Sequence, residues 1–231
     1  MRRRDCLTIG AGAALGVGGI GFEMPAQAQF GAPTPATMPM PTSTPIPTPT
    51  PGEVRPYMQV KPVAGEGNVV RVFFSPGCSF SKGYFNFFKN LATTLPQPKR
   101  FAFSALVNRA DGIGYALAFA AVAEHFPNHV VNFAEASLLG VLDRGLGASN
   151  WAAIERFGKA ARLPLPLPAL VRSRQVQLMA SVRAAIERQT ALGVTNTPAV
   201  AVAGVYIVTP EFTQGDATLF SQLVNGLISM A

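Results

Sequence analysis

Val69-Val70-Arg71-Val72-Phe73-Phe74-Ser75-Pro76-Gly77-Cys78-Ser79-Phe80-Ser81 is the stretch on which the fold turns. Its first six residues are mostly β-branched and aromatic, the composition of a short buried strand. Ser75-Pro76-Gly77 then breaks the run, because proline removes an amide donor and glycine favours turns. From Ser79 onward Phe80, Tyr84, Phe87, Phe88 and Leu91 recur at helical spacing, which predicts one amphipathic helix to about Leu95. Cys78 therefore stands where a strand ends and a helix begins. A sulfur at a helix start meets amide N–H groups that have no carbonyl partner. These favour the thiolate, the form that attacks disulfides.

Working outward, Phe101 to Val107 reads as a second strand, so that strand, helix and strand make a right-handed βαβ unit with parallel strands. The middle of the chain is helical. Ile113 to Phe126 is alanine-rich and stops at Pro127; Val130 to Leu142 and Asn150 to Ala161 follow. A proline-rich break, Leu163 to Pro168, precedes a long helix that ends near Leu192 with Gly193 as its stop. Ala199 to Ala203 is a strand, Gly204 a turn, Val205 to Val208 the hairpin partner, and Ala217 to Met230 a closing helix. The order is βαβ, a helical insert at about 110–192, then ββα, an α/β class of fold.

The 231 residues carry two cysteines, and the N-terminus decides how many matter. Arg2-Arg3-Arg4, the apolar glycine-rich run Ile9 to Ile20, and Ala26-Gln27-Ala28 form the basic, apolar and small-residue segments of an export signal. The apolar run is too short and too rich in glycine for a membrane-spanning helix. Arg3-Arg4 gives the segment a twin-arginine character, which implies export in the folded state. Cleavage after Ala28 removes Cys6 and leaves Cys78 alone, so no internal disulfide can form. Gly10-Ala11-Gly12 and Gly16 imitate a dinucleotide-binding loop, but no strand precedes them. Residues 29–56 form a Pro/Thr-rich disordered spacer with an extended, polyproline-type reach on the order of 85 Å. Residues 57–231 are one domain by size.

Composition excludes several functions. A chain with 48% hydrophobic and 13% charged residues has material for a core and is not a highly charged disordered protein. The +7 balance hints at an anionic partner, but the longest basic run leaves with the signal, and no basic–aromatic platform marks nucleic-acid binding. Arg172, Arg174, Arg183 and Arg188 read as the solvated face of the long helix. His125 and His129 are separated by Pro127 and read as surface or turn residues, so no metal site is expected. Phe85 to Phe88 reads as core.

The Phe73-to-Ser81 segment resembles the active-site segment of thioredoxin-fold proteins, especially the DsbA family. Thr195-Asn196-Thr197-Pro198-Ala199 looks like the loop that carries that family's cis-proline, which lies beside the reactive cysteine and helps hold substrate backbone. The resemblance spans about Val69 to Met230, and the helical insert fits DsbA better than a minimal thioredoxin. It implies a DsbA-like thioredoxin fold (βαβ–ββα) with an inserted helical subdomain. It also implies Cys78 as the nucleophile, Thr197 and Pro198 as holders of an extended client, and no cofactor. The expected partners are cysteine-containing envelope proteins or a low-molecular-weight thiol, met by a periplasmic monomer.

The chain departs from that pattern at Ser81, which stands where the family has its resolving cysteine, and at Ser79-Phe80, where proline-histidine is familiar. Ser81 can donate a hydrogen bond to the Cys78 thiolate but cannot close a disulfide. Two functions stay open. One is monothiol disulfide exchange or isomerisation, in which a client or external thiol resolves the mixed disulfide. The other is a non-catalytic binding or scaffold component of an envelope assembly or secretion system.

Overall fold

The computed structural model describes residues 55–231. The export signal and all but the last two residues of the spacer lie outside the described residues. Within them β2 (Val69–Phe74) pairs in parallel with β3 (Arg100–Ala105) and antiparallel with β4 (Ala199–Val202). β5 (Tyr206–Val208) and the short β1 (Met58–Gln59) complete a five-stranded sheet in the order β1-β5-β4-β2-β3. β2 thus has a neighbour on each side and helices or loops over each face, which is why its sequence is nearly continuous in apolar residues. β1 has no strand signature of its own and forms only by adding to the edge of β5.

The predicted helix from Ser79 to Leu95 is two helices, α1 (Ser79–Gly83) and α2 (Phe85–Thr94). Gly83 is a weak helix former. Tyr84 is drawn aside, its ring centroid 4.8 Å from that of Phe220 and its hydroxyl donating to the Gly215 carbonyl at 2.9 Å. The predicted long helix before Leu192 is likewise divided, into α6 (Leu167–Ser173) and α7 (Gln175–Ala191). There the Ser173 hydroxyl and the Arg174 amide both donate to the Leu170 carbonyl, the side-chain competition that bends helices.

The insert is built on α3 (Gly112–His125), which is apolar on every side and buries Tyr115 through Phe119 together with Ala121 and Val122. α4 (Val130–Arg144), α5 (Trp151–Ala160), α6 and α7 surround it. Gly140 is required in α4, since a Cβ there would lie 2.2 Å from the Phe157 ring of α5. A 3₁₀ turn, Pro127–His129, links α3 to α4 where the proline stops the helix, and His129 Nδ1 lies 3.0 Å from the Ala161 carbonyl.

Period-two alternation divides the sheet's side chains. Val70, Val72, Phe74, Phe103, Val200 and Val202 face the larger core with Phe88 of α2 and Phe220 of α8 (Ala217–Met230). Phe73, Ala199, Ala201 and Ile207 face the other side with Leu106, Leu192 and Val194. Arg71 shares the parity of Phe73 and would be a buried charge without a partner. Glu66 supplies one, accepting from Arg71 Nε at 2.8 Å and Nη2 at 2.9 Å. Ser104 Oγ accepts from Arg71 Nη1 at 2.8 Å, and Arg188 Nε lies 3.0 Å from Glu66 Oε1. Arg188 is therefore part of an ion-pair cluster and not of a solvated face. The β4–β5 hairpin turns through Ala203 and Gly204, both at positive φ. A Cβ on Gly204 would come within 2.6 Å of Glu66, so the turn and the cluster demand the same glycine.

Candidate active site

Cys78 caps α1. Its N–H donates to the Ser75 carbonyl at 3.0 Å, which closes the Ser75-Pro76-Gly77 turn at the end of β2. Its sulfur accepts the Ser81 N–H at 3.4 Å, so one amide of the first helical turn addresses the thiol as the sequence requires. α1 is only five residues long, and the field of a long helix expected there is correspondingly reduced. Cys78 is half-buried and is the free cysteine of the described residues.

The second half of the site comes from far downstream. The Thr197–Pro198 peptide bond is cis. Cys78 Sγ donates to the Thr197 carbonyl oxygen at 3.0 Å, across 119 positions of sequence. Cys78, Thr197 and Pro198 are therefore brought together as the sequence reading expects. Pro198 is buried under the loop and Thr197 is half-buried.

Ser81 behaves differently from its expectation. Its backbone N–H, and not its hydroxyl, makes the contact with sulfur. The side chain is fully buried, and Oγ has no hydrogen-bond partner. It is the buried unpaired side-chain polar atom of the described residues.

Beside the proline loop lies a groove of about 280 Å³ lined by Phe80, Thr197, Pro198, Pro210, Glu211 and Gly215 among others. The helical spacing places Phe80 with the core rings, yet it is 59% exposed and forms this groove's wall. A large ring held out as a groove wall is the feature that periodicity alone misassigns. Glu211 Oε1 accepts weakly from Asn196 Nδ2 at 3.4 Å. Burial raises the Tyr84 hydroxyl, which donates to the Gly215 carbonyl, above its ordinary pKa, with the Asp216 carboxylate adding to the effect.

A buried support holds the cysteine's turn. Asp111, at the start of α3, is 5% exposed; its Oδ2 accepts from Ser75 Oγ at 2.7 Å and from Asn108 Nδ2 at 2.8 Å. Asn108 Oδ1 in return accepts the Asp111 N–H at 2.8 Å. The insert is thereby tied to the turn that presents Cys78. Neither Asn108 nor Asp111 stands in a recognisable sequence pattern, and no local signal marks them.

Comparison with solved structures matches this arrangement to a known architecture. Pseudomonas aeruginosa DsbA aligns with a TM-score of 0.63 over 76% of this chain and 91% of its own, at 16% identity. The oxidoreductase DsbA from Xylella fastidiosa aligns at 0.62 over 75% of this chain and 94% of its own, also at 16% identity. The chain has the DsbA-like thioredoxin fold. A third DsbA-like structure, a Proteus mirabilis DsbA variant solved with a non-covalently bound peptide PWATCDS, aligns at 0.58 with 19% identity, covering 77% and 97% of the two chains. No protein-family model and no curated protein matches the chain. The DsbA-like fold accounts for the insert between β3 and β4 and for the meeting of α1 with the loop before β4.

Proposed function

We propose that this is an exported, periplasmic monothiol protein that exchanges or isomerises disulfides in cysteine-containing envelope proteins. The observation that carries the reading is the half-buried Cys78 sulfur 3.0 Å from the carbonyl of Thr197, a residue that lines an apolar groove. In this reading Cys78 attacks one sulfur of a client disulfide. A bond forms between Cys78 and that sulfur, and the other client sulfur leaves as a thiolate. Thr197 and Pro198 hold the client as an extended segment, in the manner of strand addition. Phe80 and Pro210 supply apolar contact. The peptide held by the Proteus mirabilis DsbA variant contains a cysteine, which supports a chain of that kind as the occupant here.

A dithiol enzyme would eject the client by closing its own disulfide. Ser81 does not allow that, so the mixed disulfide persists until a second client thiol or a low-molecular-weight thiol attacks it. Wild-type protein should therefore accumulate client adducts in cells, visible on a non-reducing gel and lost on reduction. Cys78→Ser should abolish both the adducts and the biological activity. Full activity in that variant would favour the second reading, a thiol-free binding module in an envelope assembly, for which the groove beside Pro198 suffices without the sulfur.

A further inference from the structure

We propose that Glu211 selects among clients: the groove beside Pro198 takes an arginine side chain that flanks the client's cysteine, its guanidinium paired with the Glu211 carboxylate and laid against the Phe80 ring. The inference rests on reading Cys78 as the nucleophile of a client exchange, and it adds the class of client that the site prefers.

The chain carries 19 lysines and arginines against 12 acidic residues. Among the described residues Glu66, Glu135, Asp143 and Glu155 each have a lysine or arginine partner. Glu211 has none among them, and it is the charged side chain that lines the groove. It is exposed; its Oε1 meets Asn196 Nδ2 at 3.4 Å, and its Oε2 has no partner among the described residues. In a chain rich in cations, a carboxylate left without one and set among apolar groups is complementary to a positively charged ligand.

The backbone under Glu211 is fixed while its carboxylate is free. Pro210–Thr213 is a 3₁₀ turn between β5 and α8. The Pro210 carbonyl accepts from the Gly215 N–H at 2.9 Å and from the buried Thr213 hydroxyl at 3.2 Å, and the Tyr84 hydroxyl holds the Gly215 carbonyl at 2.9 Å. Asn196 draws the carboxylate toward the loop whose Thr197 carbonyl lies 3.0 Å from the Cys78 sulfur. Phe80, two residues after Cys78, gives an exposed ring to the same groove. Arginine satisfies all of these groups together. Its methylenes lie along Pro198 and Pro210, its flat guanidinium stacks on the ring, and its fork of N–H donors meets the carboxylate. Lysine supplies the charge without the planar fork and ranks second; an acidic side chain is repelled.

The test uses short peptides whose single cysteine is activated as a thiopyridyl disulfide. Cys78 attacks the peptide sulfur, a Cys78–peptide S–S bond forms, the peptide–thiopyridine bond breaks, and thiopyridone leaves with its absorbance as the readout. The exchange involves no net oxidation. Arginine is placed in turn at the positions flanking the cysteine and compared at each with citrulline, its neutral analogue of the same shape, and with glutamate. At low salt the wild-type protein should react about three-fold faster with arginine than with citrulline at the best position, the scale of one exposed ion pair. The advantage should fade at high salt. Glu211→Gln should level the two rates, and Glu211→Lys should turn the preference toward glutamate. Each ratio is taken within one protein, so a general loss of reactivity in a variant does not mimic the result. Equal rates in the wild-type protein, or an arginine preference that survives in Glu211→Gln, overturn the role of Glu211 and leave the monothiol reading standing. Thiopyridone release no greater than that from Cys78→Ser contradicts the monothiol reading, and the inference falls with it.

Discussion

On one face of β2 the cluster of Glu66, Arg71, Arg188 and Ser104 is closed: both carboxylate oxygens and four guanidinium nitrogens have partners within 3.0 Å. At the strand's carboxyl end the polar groups are left open. Cys78 is half-buried with a weak S–H bond, and the Ser81 hydroxyl is buried with none. The same strand thus carries a finished polar cluster and an unfinished one. Buried polar groups are ordinarily satisfied because leaving one unpaired costs about 1–3 kcal/mol. The open end therefore gives up stability that the closed face retains, and it is the open end that meets the groove.

The strongest way to break this contrast is to open the closed cluster. Glu66→Ala should strand Arg71 with little access to water and lower unfolding stability by about 3–5 kcal/mol, read from a urea midpoint. Cys78 alkylation under native conditions should not change. Next in size is the support behind the site. Asp111→Ala removes the acceptor of both Ser75 Oγ and Asn108 Nδ2 and should cost about 1–3 kcal/mol by the same measurement. It should also loosen the Cys78 turn and slow adduct formation.

Tyr115 gives a pH signature to the insert. Burial raises its hydroxyl far above the ordinary value; the Ser137 hydrogen bond opposes that rise and the Asp111 charge adds to it. A group raised on folding stabilises below its unfolded pKa and loses that contribution above it. Stability should therefore fall as pH rises beyond about 10, and Tyr115→Phe should flatten the fall in an alkaline denaturation series. The smallest effect belongs to the open cluster. Ser81→Ala removes an unpaired buried hydroxyl and should leave thermal stability unchanged or raise it by about 1 kcal/mol.

Much of the architecture is legible in the sequence because hydrophobic period and turn chemistry agree. β2, β3, the β4–β5 hairpin, α3, α4, α5 and α8 all carry a pattern and a stop signal within a few residues of their observed ends. The two long helices are not legible as broken. Their breaks depend on tertiary events, the capture of Tyr84 by Gly215 and Phe220 and the use of the Leu170 carbonyl by Ser173. Cys78, Thr197 and Pro198 are readable because turn and helix-start chemistry and a family resemblance mark them. Phe80, Glu211 and Asp111 are not, since a ring at helical spacing, a carboxylate in a connection and a buried aspartate look alike in sequence whether or not they face a site. Arg71 and Arg188 show the same limit, because a charge in a strand and a charge on a helix find each other only through Glu66.

The central claim is that one sulfur, with no second thiol beside it, performs the chemistry. The most direct measurement is intact mass after the purified protein is mixed with a disulfide-linked peptide. The claim predicts one peptide on Cys78 that stays attached until an external thiol is added, with no addition to Cys78→Ser. An unchanged mass for the wild-type protein under conditions where a free cysteine peptide exchanges would contradict it.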